Sequence, residues 1–79
     1  ALGDEDTRNV QTAISYFEKA AENFHPIAMY YLGLYHERGE GCEENDETAA
    51  DWYRKSADEG YFRAQSALGQ MYKVGKGVF

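Results

Sequence analysis

Displaced by 36 residues, the chain overlays its own second half: Thr12, Ala13, Lys19, Ala21, Ala28, Leu32, Gly33, Gly39 and Gly41 fall on Thr48, Ala49, Lys55, Ala57, Ala64, Leu68, Gly69, Gly75 and Gly77. A period of this length marks units too small to bury an apolar face alone, which they bury by stacking on one another. Stacking gives an extended surface rather than an enclosed pocket, and the ordinary use of such a surface is binding.

One helical template recurs four times. The spacing i, i+3, i+4, i+7, i+8 puts five residues on one helix face. It is filled by Ala13, Tyr16, Phe17, Ala20 and Ala21, then by Ala28, Tyr31, Leu32, Tyr35 and His36. It returns as Ala49, Trp52, Tyr53, Ser56 and Ala57, and as Ala64, Ala67, Leu68, Met71 and Tyr72. The starts lie 15, 21 and 15 residues apart, so a tight turn joins helix A to helix B within each pair and a longer loop joins the pairs. The pattern predicts helices over roughly 8–22, 26–38, 46–59 and 62–74.

The punctuation agrees. Pro26 opens the first B helix, where its missing N–H goes unused, and Gly60 suits a left-handed end to the second A helix. Gly39-x-Gly41 and Gly75-x-Gly77 close the two B helices. Asn45 or Asp46 is expected to cap the second A helix, and Asn9 or Thr7 the first. Gly33 and Gly69 fall inside B helices, where each costs about 1 kcal/mol relative to Ala. Close approach of crossing backbones is the expected compensation. Leu68 and Tyr72 are expected to fill the space beside Gly69, with Ala57 and Ala64 as its floor, so that Gly69→Val would destabilise the fold.

Seventy-nine residues allow one domain, with a core barely large enough to offset its conformational entropy. The longest apolar run, Ile27 to Leu32, is too short to span a bilayer, and Asp4, Glu5 and Asp6 stand where a signal peptide would carry basic and then apolar residues. Residues 1–45 hold nine acidic and three basic side chains, a net of −6, whereas residues 46–79 hold five of each. Nucleic acid is a poor partner for such a surface, because phosphate recognition needs clustered Lys and Arg. The lone Cys42 cannot form an intramolecular disulfide and suits a reducing compartment such as the cytoplasm.

The run Ala49-x-x-Trp52-Tyr53-Arg54-Lys55-x-Ala57-x-x-Gly60-x-x-x-Ala64-Gln65-x-x-Leu68-Gly69-x-x-Tyr72-x-x-Gly75-x-Gly77-Val78 resembles a Sel-1-like repeat, a relative of the tetratricopeptide repeat. The first copy is looser: Ala13-x-x-Tyr16-Phe17-x-Lys19-Ala20-Ala21, then Ala28, Leu32-Gly33 and Gly39-x-Gly41-Cys42. The resemblance implies an all-α solenoid (an α/α superhelix) of two stacked antiparallel hairpins, with repeat one at about 9–44 and repeat two at about 45–79. It also implies A helices lining a concave surface, in proteins that act as adaptors or scaffolds for other proteins, with no catalysis and no cofactor. Val78 and Phe79, apolar and just past Gly75-x-Gly77, read as the start of a further A helix, hence as a fragment of a longer array that self-associates through an exposed end. The alternative function is a helical regulatory segment of a larger enzyme such as a kinase, acting in cis.

Three residues depart from the repeat. Phe24 stands where the second copy has Gly60; a bulky side chain at positive φ costs about 1–2 kcal/mol, so Asn23 is expected to take the left-handed position, or the helix to end one residue early. His36 replaces Tyr, and Cys42 replaces Val, with looser packing expected beside them. His36, Cys42, Glu43 and Glu44 lack the paired spacing of a structural metal site, no base and orienting group stand with Cys42 for nucleophilic chemistry, and Glu43, Glu44, Asp46 and Glu47 lack the ligand alternation of a calcium loop.

Two sets of residues are candidates for partner binding. On the A helices, Ser15, Glu18, Lys19 and Glu22, with Asp51, Arg54, Lys55 and Asp58, point away from the apolar stripe. Among them Lys19, Glu22, Asp51, Lys55 and above all Arg54, for its planar fork, would supply polar specificity. On the first B helix, Met29, Tyr30 and Leu34 stand where the second copy has Gln65, Ser66 and Gln70. Either that helix is buried between its neighbours, or part of the trio stays exposed and joins Phe24 and His25 as an apolar anchor. Exposure at Tyr30 and Leu34 separates the two.

Overall fold

A computed structural model describes the backbone of residues 2–77 and the side chains of residues 9–77. Four helices follow in order: α1 (Leu2–Glu22), α2 (Pro26–Arg38), α3 (Asp46–Asp58) and α4 (Phe62–Val74). Helices α1 and α3 are the A helices, α2 and α4 the B helices. The three broad contacts are α1 with α2, α2 with α3 and α3 with α4. The chain is thus an all-α solenoid of two antiparallel hairpins, with α2 and α3 as the seam between them. No helix among the described residues is long and apolar enough to cross a membrane. Val78 and Phe79, read from the sequence as the start of another helix, lie outside the described residues.

Helix α1 begins at Leu2, not near residue 8, so Thr7 and Asn9 fall within it and neither is its cap. Leu2 to Arg8 contains no proline to stop the helix. The other bounds follow the punctuation. Asn45 caps α3 by accepting the Thr48 N–H at 3.0 Å. Gly39 and Gly75 end α2 and α4 in the left-handed region at φ 70 and 69.

The two A-to-B turns share one hydrogen-bond pattern. Gly60 donates its N–H to the Ala57 carbonyl at 2.9 Å and Tyr61 to that of Ser56 at 3.2 Å. In the first hairpin Phe24 donates to Ala21 at 2.9 Å and His25 to Ala20 at 3.3 Å. Phe24 itself therefore takes the left-handed position, at φ 59 against 94 for Gly60. Neither expected alternative holds: α1 ends at Glu22, in register with Asp58 of α3, and Asn23 does not take the turn. Satisfying two otherwise orphaned carbonyls outweighs a strain of about 1–2 kcal/mol.

The core lies along the seam. One cluster joins Ala49, Ala50, Tyr53 and Met71, with Tyr30, Leu34, Ala67 and Leu68 packed on it. The other joins Ala21, Met29 and Leu32, with Ile14, Phe17 and Trp52 around it. Tyr53 is fully buried and donates its hydroxyl to Glu37 Oε1 at 2.6 Å. Ser56, also fully buried, donates to the Pro26 carbonyl at 2.6 Å, tying α3 to the start of α2.

Gly33 shows why a glycine sits inside α2: a Cβ there would lie 2.5 Å from Cε1 of Tyr53. The missing side chain is what lets the Tyr53 ring lie against the α2 backbone. Gly69 does not behave as expected, because nothing lies within 4 Å of a Cβ built there and the residue is exposed. The contact that Gly33 makes is with the following A helix; no described helix occupies the corresponding place beside α4, so the expected Gly69 notch over Ala57 and Ala64 is absent. Tyr16 is exposed for the mirror-image reason. Its counterpart Trp52 packs back toward the first hairpin, while Tyr16, 70% exposed, has no described helix on that side.

Candidate functional site

Because α1 and α3 pack on α2 more broadly than on each other, a groove of about 420 Å³ runs between them. Helix α1 contributes Glu18, Ala21 and Glu22, the turn contributes Phe24, α2 contributes Met29, and α3 contributes Trp52 and Lys55. Met29 and Ala21 are buried at 4% and 7% exposure and form the floor. Trp52 is half-buried, with the Lys55 ammonium 4.7 Å above its ring, a cation–π contact. Phe24 stands on the rim, 70% exposed. The carboxylates of Glu18 and Glu22 are exposed and make no ion pair among the described residues. An apolar trough bounded by two free carboxylates and one ammonium suits a side chain of another protein.

The eight candidate residues divide among several places. Glu22, Lys55 and Met29 meet in this groove. Met29 is there as floor, not as an exposed anchor, since α1 and α3 enclose it. Tyr30 and Leu34 are half-buried against the cluster of Ala49, Ala50, Tyr53 and Met71, so the first B helix is sandwiched between its neighbours. Tyr30 also meets the rings of Tyr31, Tyr53 and Tyr61 at centroid distances of 5.5, 5.7 and 5.4 Å. Arg54 and Asp51 bond to each other at 3.0 Å, and Arg54 also reaches the Tyr72 hydroxyl at 3.5 Å; both lie outside the groove lining. Lys19 borders a separate hollow with Thr12, Ser15 and Tyr16.

Trp52 entered the sequence reading as a stripe and repeat-motif residue but not as a binding candidate, and Glu18 only as one of several polar residues. The phase of α1 against α3 is what joins them. Periodicity within each helix carries no signal for that phase.

The remaining polar features are structural. His36 and Cys42, the two departures, face each other, with Nδ1 and Sγ 3.5 Å apart, and burial pushes the Cys42 thiol up, away from the nucleophilic thiolate. No group of three potential metal ligands occurs among the described residues. Lys76 bridges Glu37 at 3.5 Å and Asp46 at 3.7 Å, fastening the loop after α4 to α2 and α3.

Comparison with known proteins agrees with this geometry. A Sel1 repeat profile matches residues 2–23, 26–61 and 62–79. The chain is 36% identical over 64 residues to "DAP3-binding cell death enhancer 1" of Rattus norvegicus, which covers 81% of this chain and 13% of that protein. A Sel1 repeat protein from Oxalobacter formigenes superposes with a TM-score of 0.83 at 34% identity, covering 86% of this chain and 28% of that one. A protective antigen of uropathogenic Escherichia coli that displays an SLR fold gives 0.84 at 36%, covering 87% and 15%. The chain thus spans a small part of each relative, and it belongs to the Sel1 repeat family.

Proposed function

We propose that the chain is a non-catalytic protein-binding module that holds a segment of another protein in the groove between α1 and α3, within a protein acting as an adaptor or scaffold. The observation that carries this reading is the groove itself, where a buried apolar floor and a half-buried tryptophan lie beside two carboxylates that are free to pair. Family membership supports it, since Sel1 repeats mediate protein–protein interaction, as does the name of the rat relative, which describes a binding protein. The rim is polar and the floor apolar, as in protein interfaces generally.

The test is selection of peptides from a random displayed library against the 79-residue chain, followed by NMR titration of those that bind. Shifts are expected to cluster on Glu18, Glu22, Phe24, Trp52 and Lys55. Shifts confined to Ile27, Tyr31 and Phe62, which are exposed on the B-helix side, would move the interface to that side. Failure to select any binder would remove the reading.

A further inference from the structure

Charge and strain in the groove together narrow its occupant. Two carboxylates, Glu18 and Glu22, project from the α1 wall without partners, whereas the single ammonium opposite, Lys55, is engaged on the Trp52 ring. The groove lining sets two acidic side chains against one basic one, in a chain of net charge −6, so its charge balance favours a cationic partner. Phe24 occupies a backbone conformation that glycine adopts freely and that the second hairpin fills with Gly60. A large ring held at positive φ, 70% exposed on a groove rim, is a strained feature that packing does not explain. Strain of this kind collects at binding sites.

Resting on the groove as the binding site, we propose that its occupant is a basic–apolar peptide segment. An aliphatic side chain of the segment lies between Phe24 and Trp52 over Met29, and a flanking Lys or Arg pairs with Glu18 and Glu22. Phe24 and Trp52 then give apolar contact area, and the two glutamates give direction and selectivity. An acidic segment would meet the same two carboxylates as repulsion.

Trp52 is the only tryptophan, so its emission reports groove occupancy directly. Three synthetic peptides serve as probes for the 79-residue chain: alternating Lys and Leu, alternating Glu and Leu, and alternating Lys and Ser. The Lys–Leu peptide is expected to change Trp52 emission saturably, and the other two to bind about tenfold more weakly or less. Its affinity is expected to fall about tenfold in the Glu18→Gln, Glu22→Gln double variant, and to decline between about 50 and 500 mM salt. Phe24→Gly is expected to weaken binding while raising the melting temperature, which separates a lost contact from a lost fold.

Equal binding of the Glu–Leu or Lys–Ser peptide, or an unaltered affinity in the double glutamine variant, would overturn the proposal. The groove reading has a separate fate. If library-selected peptides of another composition shift the same NMR signals while the Lys–Leu peptide does not, the basic–apolar assignment falls and the groove stands. If no peptide of any composition reaches Trp52, both fall.

Discussion

The two hairpins share a backbone and differ in what surrounds it. Gly33 and Gly69 occupy the same position in α2 and α4, yet one lies against the ring of Tyr53 and the other faces open space. Phe24 and Gly60 make the same turn with the same hydrogen bonds, one under strain and one without. Each second glycine of the Gly-x-Gly loop folds back on its own A helix: Gly41 against Val10 inside α1, and Gly77 against the backbone of Asp46 at the start of α3. The first of these contacts is apolar, while the second is accompanied by the Lys76 bridge to Asp46 and Glu37. Equivalent residues therefore do equivalent work only where their neighbours are equivalent. A side chain's role in a stacked repeat is set by the face on which another hairpin lies.

The sharpest way to break this comparison is to fill both glycines. Gly33→Val is expected to destabilise the chain by about 3 kcal/mol, the upper range for overpacking, because the Tyr53 ring is buried and pinned by Glu37 and cannot yield. Gly69→Ala is expected to stabilise it by up to about 1 kcal/mol through helix propensity alone. Denaturant unfolding of the two variants, with opposite signs at one repeat position, checks the seam; equal effects would refute it.

Next in size is Tyr53→Phe, which leaves Glu37 without its hydroxyl donor and is expected to cost about 1–2 kcal/mol. Burial first, and then the bond and charge of Glu37, hold the Tyr53 hydroxyl well above the usual tyrosine range. The resulting stabilisation is complete below the unfolded value of about pH 10 and declines as the pH rises beyond it. Unfolding midpoints followed into alkaline solution are expected to fall less steeply for Tyr53→Phe than for the parent. Phe17 stands at this position in the first hairpin, so no comparable alkaline term arises there.

Phe24→Gly converts the first turn into the second and is expected to stabilise the chain by about 1 kcal/mol. For a domain of this size that raises the melting temperature by roughly 4–8 °C. An unchanged or lower value would mean that Phe24 contributes packing beyond what its exposure allows. The smallest effect is expected for Lys76→Ala. Its ion pairs are long and partly exposed, so the change is under about 1 kcal/mol and shrinks further in high salt.

Much of the fold was legible in residues alone. The five-residue stripes and the caps at Asn45, Gly39 and Gly75 marked helices α2 to α4 within a residue or so, because a helix is stabilised by contacts three and four residues apart. The start of α1 was not legible, since Leu2 to Arg8 carries no apolar stripe and the helix runs on through Gly3. At the groove the sequence pointed to Glu22, Met29 and Lys55 but also to Arg54 and Asp51, which satisfy each other outside it. Nothing in the periodicity separated these two sets. Lys55 and Arg54 are adjacent on α3, and only the direction in which α1 lies tells which of them meets the groove.

The 36-residue register by itself determined that this chain would be paired helices stacked side by side, because that pattern follows from local spacing repeated along one chain. Tertiary structure alone decided which copies of a repeated residue are buried, which glycine is a notch and which is idle, and where Glu18, Glu22, Phe24 and Trp52 converge. Those outcomes depend on contacts between residues far apart in the chain. Two positions with the same local sequence then differ solely in whether another helix covers them.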